Sequence, residues 1–298
     1  MVGIRSIGVH IPKYRLERRK ITEAMGGASM GGEKAIANSD EDSITMAVEA
    51  ARNALRGIDA STIDTLFFAS TTAPYKDKLS SATVALGADL NADIFTSDFD
   101  HSMRAGASAL SLAIDRIKGG SSRDVLIAAS DCRFGIGGSE FEQVFGDGGA
   151  ALVVSDKDVI ATYKGSYTLN DEFLDVWRTS ADTFVSSWED RFIKTKGYEE
   201  NVIKVVKGMM ATYNLTPSDI QKVVISIPDL RTLQGIGKRL GFDNNQLQDP
   251  MLSKVGYTGA AHPLLMLAAA IEEAKRDDQI LLVAYGDGCQ GFLFFHNR

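Results

Sequence analysis

Short, uninterrupted apolar segments alternate with longer segments of mixed character along this chain. Residues 125–129 (Val-Leu-Ile-Ala-Ala) and residues 280–284 (Ile-Leu-Leu-Val-Ala) are clear examples of the short segments. Continuous apolar runs of this length are typical of strands that are buried on both faces. Because helical segments separate them, the pattern predicts an α/β protein in which helices cover a sheet.

Two features recur in the same order in the two halves of the sequence. Segments of small and apolar residues, typical of buried helices, are predicted to begin at Met103 and at Tyr257. A Gly-Asp-Gly turn then leads into an apolar strand, once at residues 146–148 and again at residues 286–288. A repeat of this length predicts two halves with the same topology.

We place the two predicted halves at residues 1–156 and residues 157–298. The helices expected to begin at Met103 and Tyr257 carry few polar side chains, so we expect them to lie between two sheets. Their first residues would then face a shared cleft. Unpaired N–H groups and a partial positive charge at a helix N-terminus favour an anion or oxyanion there.

Composition and charge narrow the classes of partner. The 298 residues carry a formal net charge of −7 and no block of lysine or arginine, so we expect no nucleic-acid partner. The apolar run at residues 264–271 is too short to cross a bilayer, and the first residues lack the apolar core of a signal peptide. We therefore expect no membrane association. Cys132 and Cys289 give neither a disulfide framework nor a zinc-ligand set, which favours the cytoplasm and no metal.

Several short motifs give the chain a family resemblance. They are Asp40-Glu41-Asp42-Ser43, Ala129-Ser130-Asp131, Phe145-Gly146-Asp147-Gly148, Asp175-Val176-Trp177-Arg178 and Gly256-Tyr257-Thr258-Gly259. Together they resemble the thiolase superfamily, and within it the bacterial and archaeal hydroxymethylglutaryl-CoA synthase-like proteins. The resemblance implies a five-layered αβαβα fold of two pseudo-symmetric halves, usually a homodimer. It also implies a CoA thioester as substrate and no covalently bound cofactor.

The resemblance further implies where the catalytic groups of the family would lie. In the family a cysteine takes an acyl group, a histidine and an asparagine form an oxyanion site, and a glutamate acts as acid or base. The matching positions hold, in the same order, Met103, Ser226, Tyr257 and Thr71. A thioether cannot form an acyl-thioester intermediate, because it has no ionisable proton. We therefore predict that condensation through an acyl-cysteine is absent.

Two tyrosines are candidates for the remaining chemistry. Tyr257 lies at a predicted helix N-terminus, which would favour its anion, and its phenol could donate a proton to a carbonyl or alkoxide. Tyr285 precedes the second Gly-Asp-Gly turn and could face the same cleft. Core packing is the alternative for both. His101 and Cys289 are weaker candidates for the cleft, with an interface or core position as the alternative.

Two hypotheses of different class follow. The first is an enzyme, an acyl-CoA lyase or acyltransferase that makes or breaks a carbon–carbon bond without cysteine, most simply a retro-aldolase. Some superfamily members without the cysteine are retro-aldolases that work with a zinc-ribbon and OB-fold protein, which we expect here to be a separate chain. The second hypothesis is a non-catalytic scaffold subunit of an acyl-CoA-processing complex with such a partner.

Two further possibilities stay open. Acyl transfer from Ser102 or Ser226 would need a general base, and the sequence places none beside either serine. Residues 188–196 mix aromatic and basic side chains. This segment would hold the phosphates or adenine of CoA, or it would form a solvated, charged helix.

Overall fold

The computed structural model describes residues 1–298 and contains thirteen strands and nine helices. The strands are β1 (Gly3–His10), β2 (Tyr14–Glu17), β3 (Glu33–Ile36), β4 (Ile63–Ala69), β5 (Phe95–Phe99), β6 (Asp124–Asp131), β7 (Gly148–Ser155), β8 (Ala161–Asn170), β9 (Val176–Trp177), β10 (Ser186–Ser187), β11 (Lys222–Ser226), β12 (Gln279–Tyr285) and β13 (Gly288–His296). The helices are α1 (Arg18–Met25), α2 (Ser43–Ala54), α3 (Ser80–Gly87), α4 (Ala105–Lys118), α5 (Glu140–Val144), α6 (Asp190–Phe192), α7 (Glu200–Tyr213), α8 (Leu230–Leu240) and α9 (His262–Glu273). A wide helical turn, Ile193–Glu199, joins α6 to α7, and a 3₁₀ turn, Gly259–Ala261, leads into α9. Judged by length and apolar content, none of these helices qualifies as a membrane span.

Nine of the strands form one hydrogen-bonded sheet in which the two halves of the chain repeat one strand order. The order is β5-β4-β6-β7-β1 and continues as β8-β13-β12-β11. Counted along the chain within the first half, this is the third, second, fourth, fifth and first strand. The second half has the same order from its own edge, except that a single parallel bridge between Val223 and Leu247 stands in place of a third strand.

Apolar side chains form three large cores that define five layers. One core joins α2 and α3 to one face of the first half of the sheet, and a second joins α7 and α8 to the outer face of the second half. The largest core contains residues of α4 and α9 together with residues of both halves of the sheet. Successive side chains of β4 point to opposite faces of the sheet, so Phe67 lies in the largest core and Phe68 lies in the core with α2 and α3. The five-layered αβαβα fold predicted from the sequence is confirmed.

Few residue pairs join the two halves of the sheet, and only one of its two edges is covered by another part of the chain. Only two residue pairs, Gly3–Thr162 and Ile4–Ala161, connect β1 to β8. Residues 246–248 cover the edge of β11 through two backbone hydrogen bonds to Val223. At the opposite edge no strand lies beyond β5. The predicted boundary at residue 156 stays a prediction.

Both inner helices begin later than the sequence predicted. Helix α4 begins at Ala105, and α9 begins only at His262, after the 3₁₀ turn. Tyr257 is held extended, because its N–H donates to the Val144 carbonyl at 2.8 Å and its own carbonyl accepts from the Gly146 N–H at 3.2 Å. The prediction that Tyr257 occupies a helix N-terminus is therefore wrong.

Candidate functional site

A cavity lies where the segments that precede the two inner helices approach each other. Its lining residues are Met103, Arg133, Phe141, Phe145, Asp175, Val176, Tyr198, Pro228, Tyr257 and Tyr285. Three residues singled out from the sequence are among them, namely Met103, Tyr257 and Tyr285. The structure thus brings together residues from both halves of the chain, and their chemical roles stay predictions.

The turn after β12 packs directly against the start of α4. Tyr285 is the last residue of β12, and Gly286 follows it. A Cβ atom on Gly286 would lie 2.8 Å from the backbone nitrogen of Arg104. Glycine at this position therefore allows the turn to approach Met103 closely and places the Tyr285 side chain in the cavity.

The cavity is small in this conformation. Its volume of about 20 Å³ holds about one water molecule. Tyr257 and Tyr285 each expose only 2% of their surface. The rings of Phe141 and Phe145 stack with their centroids 5.0 Å apart and contribute to one wall. The space admits a single small group, and an acyl chain would need the walls to move.

Tyr257 carries a phenol that is protonated at neutral pH. Burial raises its pKa to about 12, although the nearby Ser226 hydroxyl and the positive charge of Arg133 lower it. The prediction that a helix end would favour its anion is wrong, because the helix begins further along and burial dominates. At neutral pH Tyr257 is therefore equipped to donate a proton rather than to accept one.

Tyr285 and Asp175 form the opposite side of the cavity. The Tyr285 hydroxyl has no hydrogen-bond partner of regular geometry, and the Tyr198 ring packs edge-on with its centroid 4.8 Å away. Burial raises the pKa of Tyr285, and the nearby carboxyl group of Asp175 raises it further. Burial also raises the pKa of Asp175. The hydrogen bond that its carboxyl group accepts from the Val176 N–H at 2.5 Å opposes this rise. Asp175 is thus a carboxyl group with increased proton affinity beside two phenols.

Arg133 is a cavity residue that the sequence analysis missed. Its Nη1 donates to Thr71 Oγ1 at 2.8 Å, and its guanidinium carbon lies 5.1 Å from the centroid of the Phe145 ring. Its Nε is buried and has no hydrogen-bond partner. Burial lowers the pKa of Arg133, opposed by the negative charge of Asp131. The only signal in the sequence was a single basic residue soon after an apolar strand.

Asp131 connects the two halves of the chain beside this cavity. This fully buried carboxylate accepts hydrogen bonds from Ser70 Oγ at 2.9 Å, from the Thr71 N–H at 2.7 Å and from the Ala260 N–H at 2.7 Å. The hydroxyls of Thr71 and Thr72 also donate to it. Gly259, with φ +58°, leaves room for the carboxylate, since a Cβ atom there would lie 2.1 Å from Asp131 Oδ2.

Three other positions named from the sequence lie near the cavity without lining it. Thr71 links Arg133 to Asp131. Ser226 is fully buried, and its hydroxyl makes no hydrogen bond of regular geometry. Ser102 donates to the Asp287 carboxylate at 2.7 Å, so the prediction that no base adjoins this serine is wrong.

His101 and the two cysteines lie outside the cavity lining. His101 has a φ of +69° and an exposed side chain beside Asp100. It does not line the cavity, and its position at an interface stays a prediction. Cys289 is fully buried in β13, and burial raises its pKa. Burial and the neighbouring carboxylates raise the pKa of Cys132. Both sulfurs are therefore protonated at neutral pH.

A second, larger cavity of about 170 Å³ adjoins the first. The two share the lining residues Phe141, Tyr198 and Pro228. Lys194 lines the second cavity and pairs with Asp190 at 2.9 Å and Asp229 at 3.1 Å. In the same segment Lys196 pairs with Glu200 at 2.6 Å. Two basic residues of the segment proposed for CoA phosphates are thus already paired with carboxylates, and that role stays a prediction.

The chain is similar to known proteins along its whole length. Residues 210–292 match the family described as 3-oxoacyl-[acyl-carrier-protein (ACP)] synthase III C terminal. The chain is 30% identical over 293 residues to hydroxymethylglutaryl-CoA synthase of Pyrococcus horikoshii, covering 96% of this chain and 83% of the relative. The hydroxymethylglutaryl-CoA synthase of Methanopyrus kandleri is 29% identical over 297 residues, with 96% and 85% covered. A crystal structure of HMG-CoA synthase complexed with CoA superposes with a TM-score of 0.90 at 17% identity, over 100% of this chain and 82% of that one.

Proposed function

Because the chain belongs to the hydroxymethylglutaryl-CoA synthase-like family of the thiolase superfamily, we propose that it makes or breaks a carbon–carbon bond in an acyl-CoA without an acyl-cysteine intermediate. The cavity is the observation that carries this proposal. A thioether, buried phenols, a carboxyl group and a guanidinium group converge there, and no thiol lines it. Retro-aldol cleavage is the simplest reaction for this set, since it needs only proton transfers and a polarised carbonyl.

The reaction proposed is cleavage of a 3-hydroxyacyl-CoA between C2 and C3. Asp175 accepts the proton of the 3-hydroxyl group, and the oxygen forms a carbonyl with C3. The electron pair of the broken bond moves to C2 and gives the enolate of the shortened acyl-CoA. Tyr257 donates its proton to C2, and the proton held by Asp175 returns to Tyr257. The products are an aldehyde or ketone and an acyl-CoA, with no net gain or loss of protons.

The ionisation states support these roles. The raised pKa of Asp175 increases the affinity of the carboxylate for the hydroxyl proton. The Tyr257 pKa of about 12 keeps the phenol protonated and ready to donate. The Tyr285 hydroxyl lies beside Asp175 without a hydrogen bond of regular geometry, and it can donate to the forming C3 carbonyl. Burial raises the pKa of both Asp175 and Tyr257, and a carboxyl group beside a phenol supplies the proton acceptor and the proton donor that the reaction needs.

Two observations support chemistry without an acyl-cysteine. Met103 is at the position where the family resemblance places the nucleophile, and its thioether cannot be acylated and released. Cys132 and Cys289 do not line the cavity, and the pKa of each is raised. A nucleophilic cysteine needs the opposite, a pKa lowered by nearby positive charge.

The second cavity gives the substrate a route to the first. Phe141, Tyr198 and Pro228 stand between the two spaces and belong to both linings. Displacement of the Phe141 ring would join the spaces and admit the thioester to Tyr257. The proposed function therefore includes a local opening of this wall when the substrate binds.

Turnover of 3-hydroxyacyl-CoA substrates tests the proposal. Chains of several lengths would be incubated with the purified protein, and shortened acyl-CoA would be followed by mass spectrometry. We expect Tyr257→Phe to lower kcat by about 100-fold or more, since it removes the proton donor, and to leave affinity for the acyl-CoA unchanged in titration calorimetry. Tyr14→Phe, at an exposed tyrosine of β2, is the matched control. Undiminished turnover by Tyr257→Phe would remove the role assigned to this residue.

A non-catalytic scaffold is the second candidate, and the size of the cavity favours it. A space of about 20 Å³ behind tyrosines that are 2% exposed is what a disused site would retain. This candidate predicts that no acyl-CoA binds, with or without a partner protein. Calorimetric binding of any acyl-CoA together with product formation would exclude it.

The proposal extends to assembly and location. We propose a homodimer, because β5 leaves one edge of the sheet unpaired. By family resemblance we also propose a separate OB-fold and zinc-ribbon protein as partner. Both cysteines are free thiols, which favours the reducing cytoplasm.

A further inference from the structure

Arg133 is a half-buried arginine that lines the cavity, and its Nε atom is fully buried. No carboxylate oxygen lies within 4.0 Å of its nitrogens, so it forms no ion pair. Its one side-chain partner is the Thr71 hydroxyl, and its buried Nε has none. A buried hydrogen-bond donor without a partner destabilises the folded chain. An unpartnered donor on a residue that lines a cavity points to a ligand that supplies the missing acceptor.

The neighbouring charged groups do not provide that acceptor. Asp131 already accepts five hydrogen bonds, from Ser70, Thr71, Thr72 and Ala260. Asp175 accepts a hydrogen bond from the backbone N–H of Val176, and its charge raises the pKa of Arg133 without a direct ion pair. Arg178, on the far side of Thr71, carries the same sign of charge and bonds the Thr71 carbonyl at 2.6 Å. Arg133 lines the cavity, and its Nε–H is left without an acceptor from the protein.

We propose that Arg133 binds the oxyanion of the reacting acyl thioester, which makes it a catalytic residue of this protein. This inference rests on the proposed function and assigns the group that stabilises the enolate. The developing negative charge on the thioester oxygen would accept a hydrogen bond from Nε and lie beside the guanidinium charge in a small, largely apolar cavity. The histidine and asparagine expected from the family are Ser226 and Tyr257 here, so Arg133 supplies the positive charge that this pair lacks.

The dimensions of the cavity suit one oxygen atom. Its volume of about 20 Å³ matches a single water-sized group. Met103 lines the same space, so a negatively charged atom placed at residue 103 would share the cavity with Arg133. This relation allows a test that needs no substrate.

Met103→Cys places an ionisable sulfur in the cavity as a probe for Arg133. Thiolate formation would be followed by ultraviolet absorbance against pH, with the parent chain subtracted to remove Cys132 and Cys289. In this background we expect Arg133→Gln to raise the pKa of the introduced thiol by about one unit or more, because the stabilising cation is lost. Arg133→Lys should retain part of the effect. Arg178→Gln, which removes an exposed arginine that also bonds Thr71, is the matched control and should shift the pKa far less.

Equal thiol pKa values with and without Arg133 would overturn the inference. If Met103→Cys does not fold, the native chain labelled with ¹⁵N-arginine replaces it. Added acetate should then shift the Arg133 Nε–H resonance, identified by its loss in Arg133→Gln. An Nε–H resonance that does not respond to acetate would also overturn the inference.

The two proposals fail in different ways. If the thiol pKa depends on Arg133 but no 3-hydroxyacyl-CoA is cleaved, the oxyanion site stands and the retro-aldol function fails. If cleavage occurs and Arg133→Gln leaves both kcat and the thiol pKa unchanged, the function stands and the role of Arg133 fails. In an active protein we expect Arg133→Gln to lower kcat by about 100-fold while acyl-CoA affinity is retained.

Discussion

Met103 and Tyr257 precede the two inner helices, but their surroundings differ. Met103 is separated from α4 by a single residue, whereas Tyr257 is fixed by backbone hydrogen bonds to the segment at residues 144–146. Because Tyr257 is not at the start of a helix, burial determines its pKa and raises it, and the charge of Arg133 opposes the rise. The protonation state of this phenol thus depends on its immediate surroundings in the cavity.

Asp147 is a carboxyl group whose charge destabilises the folded chain. Burial raises its pKa to about 6, although the Ala37 N–H at 2.8 Å and the charge of Lys34 oppose the shift. The folded chain thus holds this proton more tightly than the unfolded chain does. The stabilising contribution of the protonated group is full below about pH 4 and is lost as the pH rises through about 6.

We expect Asp147→Asn to raise the free energy of unfolding by about 2 kcal/mol at pH 7 and to have little effect at pH 4. Urea denaturation of both proteins at the two pH values measures the difference. Asp243→Asn, at an exposed position, serves as control and should change stability at neither pH. An equal gain at pH 4 and pH 7 would show that the charge of Asp147 is not the cause.

At the scale of elements, one carboxylate joins the end of β6 to the loop after β4 and to the turn before α9. Asp131 accepts five hydrogen bonds from these segments. We expect Asp131→Ala to lower the free energy of unfolding by about 3 kcal/mol or more, since it leaves buried donors unpaired. Thermal and urea denaturation measure this loss.

Ser130 gives the matched control for Asp131. It is the preceding residue of β6, fully buried, and its hydroxyl has no partner, so Ser130→Ala should cost less than about 1 kcal/mol. Comparable losses in the two variants would mean that strand packing, rather than the hydrogen bonds of Asp131, determines stability at this point.

The repeated elements explain how much of the fold and the cavity was predictable. Equivalent residues of two similar halves meet near the axis that relates them, so Met103, Tyr257 and Tyr285 converge as their positions in the repeat suggested. The start of α9 was misplaced because the hydrogen bonds that hold Tyr257 extended join segments distant in sequence. Arg133 was missed for the same reason, since contacts with Thr71 and Phe145 turn its side chain into the cavity.

At the scale of the whole molecule, the two edges of the sheet predict how copies associate. The edge at β11 is covered, whereas β5 offers unpaired backbone groups to a second β5. We expect a dimer in sedimentation velocity and light scattering. Ser97→Lys, at the middle of β5, would place like charges near each other across a two-fold axis and should raise the dissociation constant at least about tenfold.

Ser218→Lys supplies the control for the dimer, because it adds the same charge at an exposed turn near the covered edge. Its dissociation constant should match that of the parent chain. A monomeric parent chain, or a Ser97→Lys variant that associates as tightly as the parent, would contradict an interface at β5.

The inner layer of α4 and α9 also bears on how such a chain could have arisen. The largest core draws residues from both halves, so either half alone would expose one face of its sheet and one apolar helix to water. An ancestral polypeptide of half this length could have covered that layer only by pairing with another copy of itself. Within one chain the two halves need not stay identical, and the corresponding positions hold a methionine in one half and a tyrosine in the other.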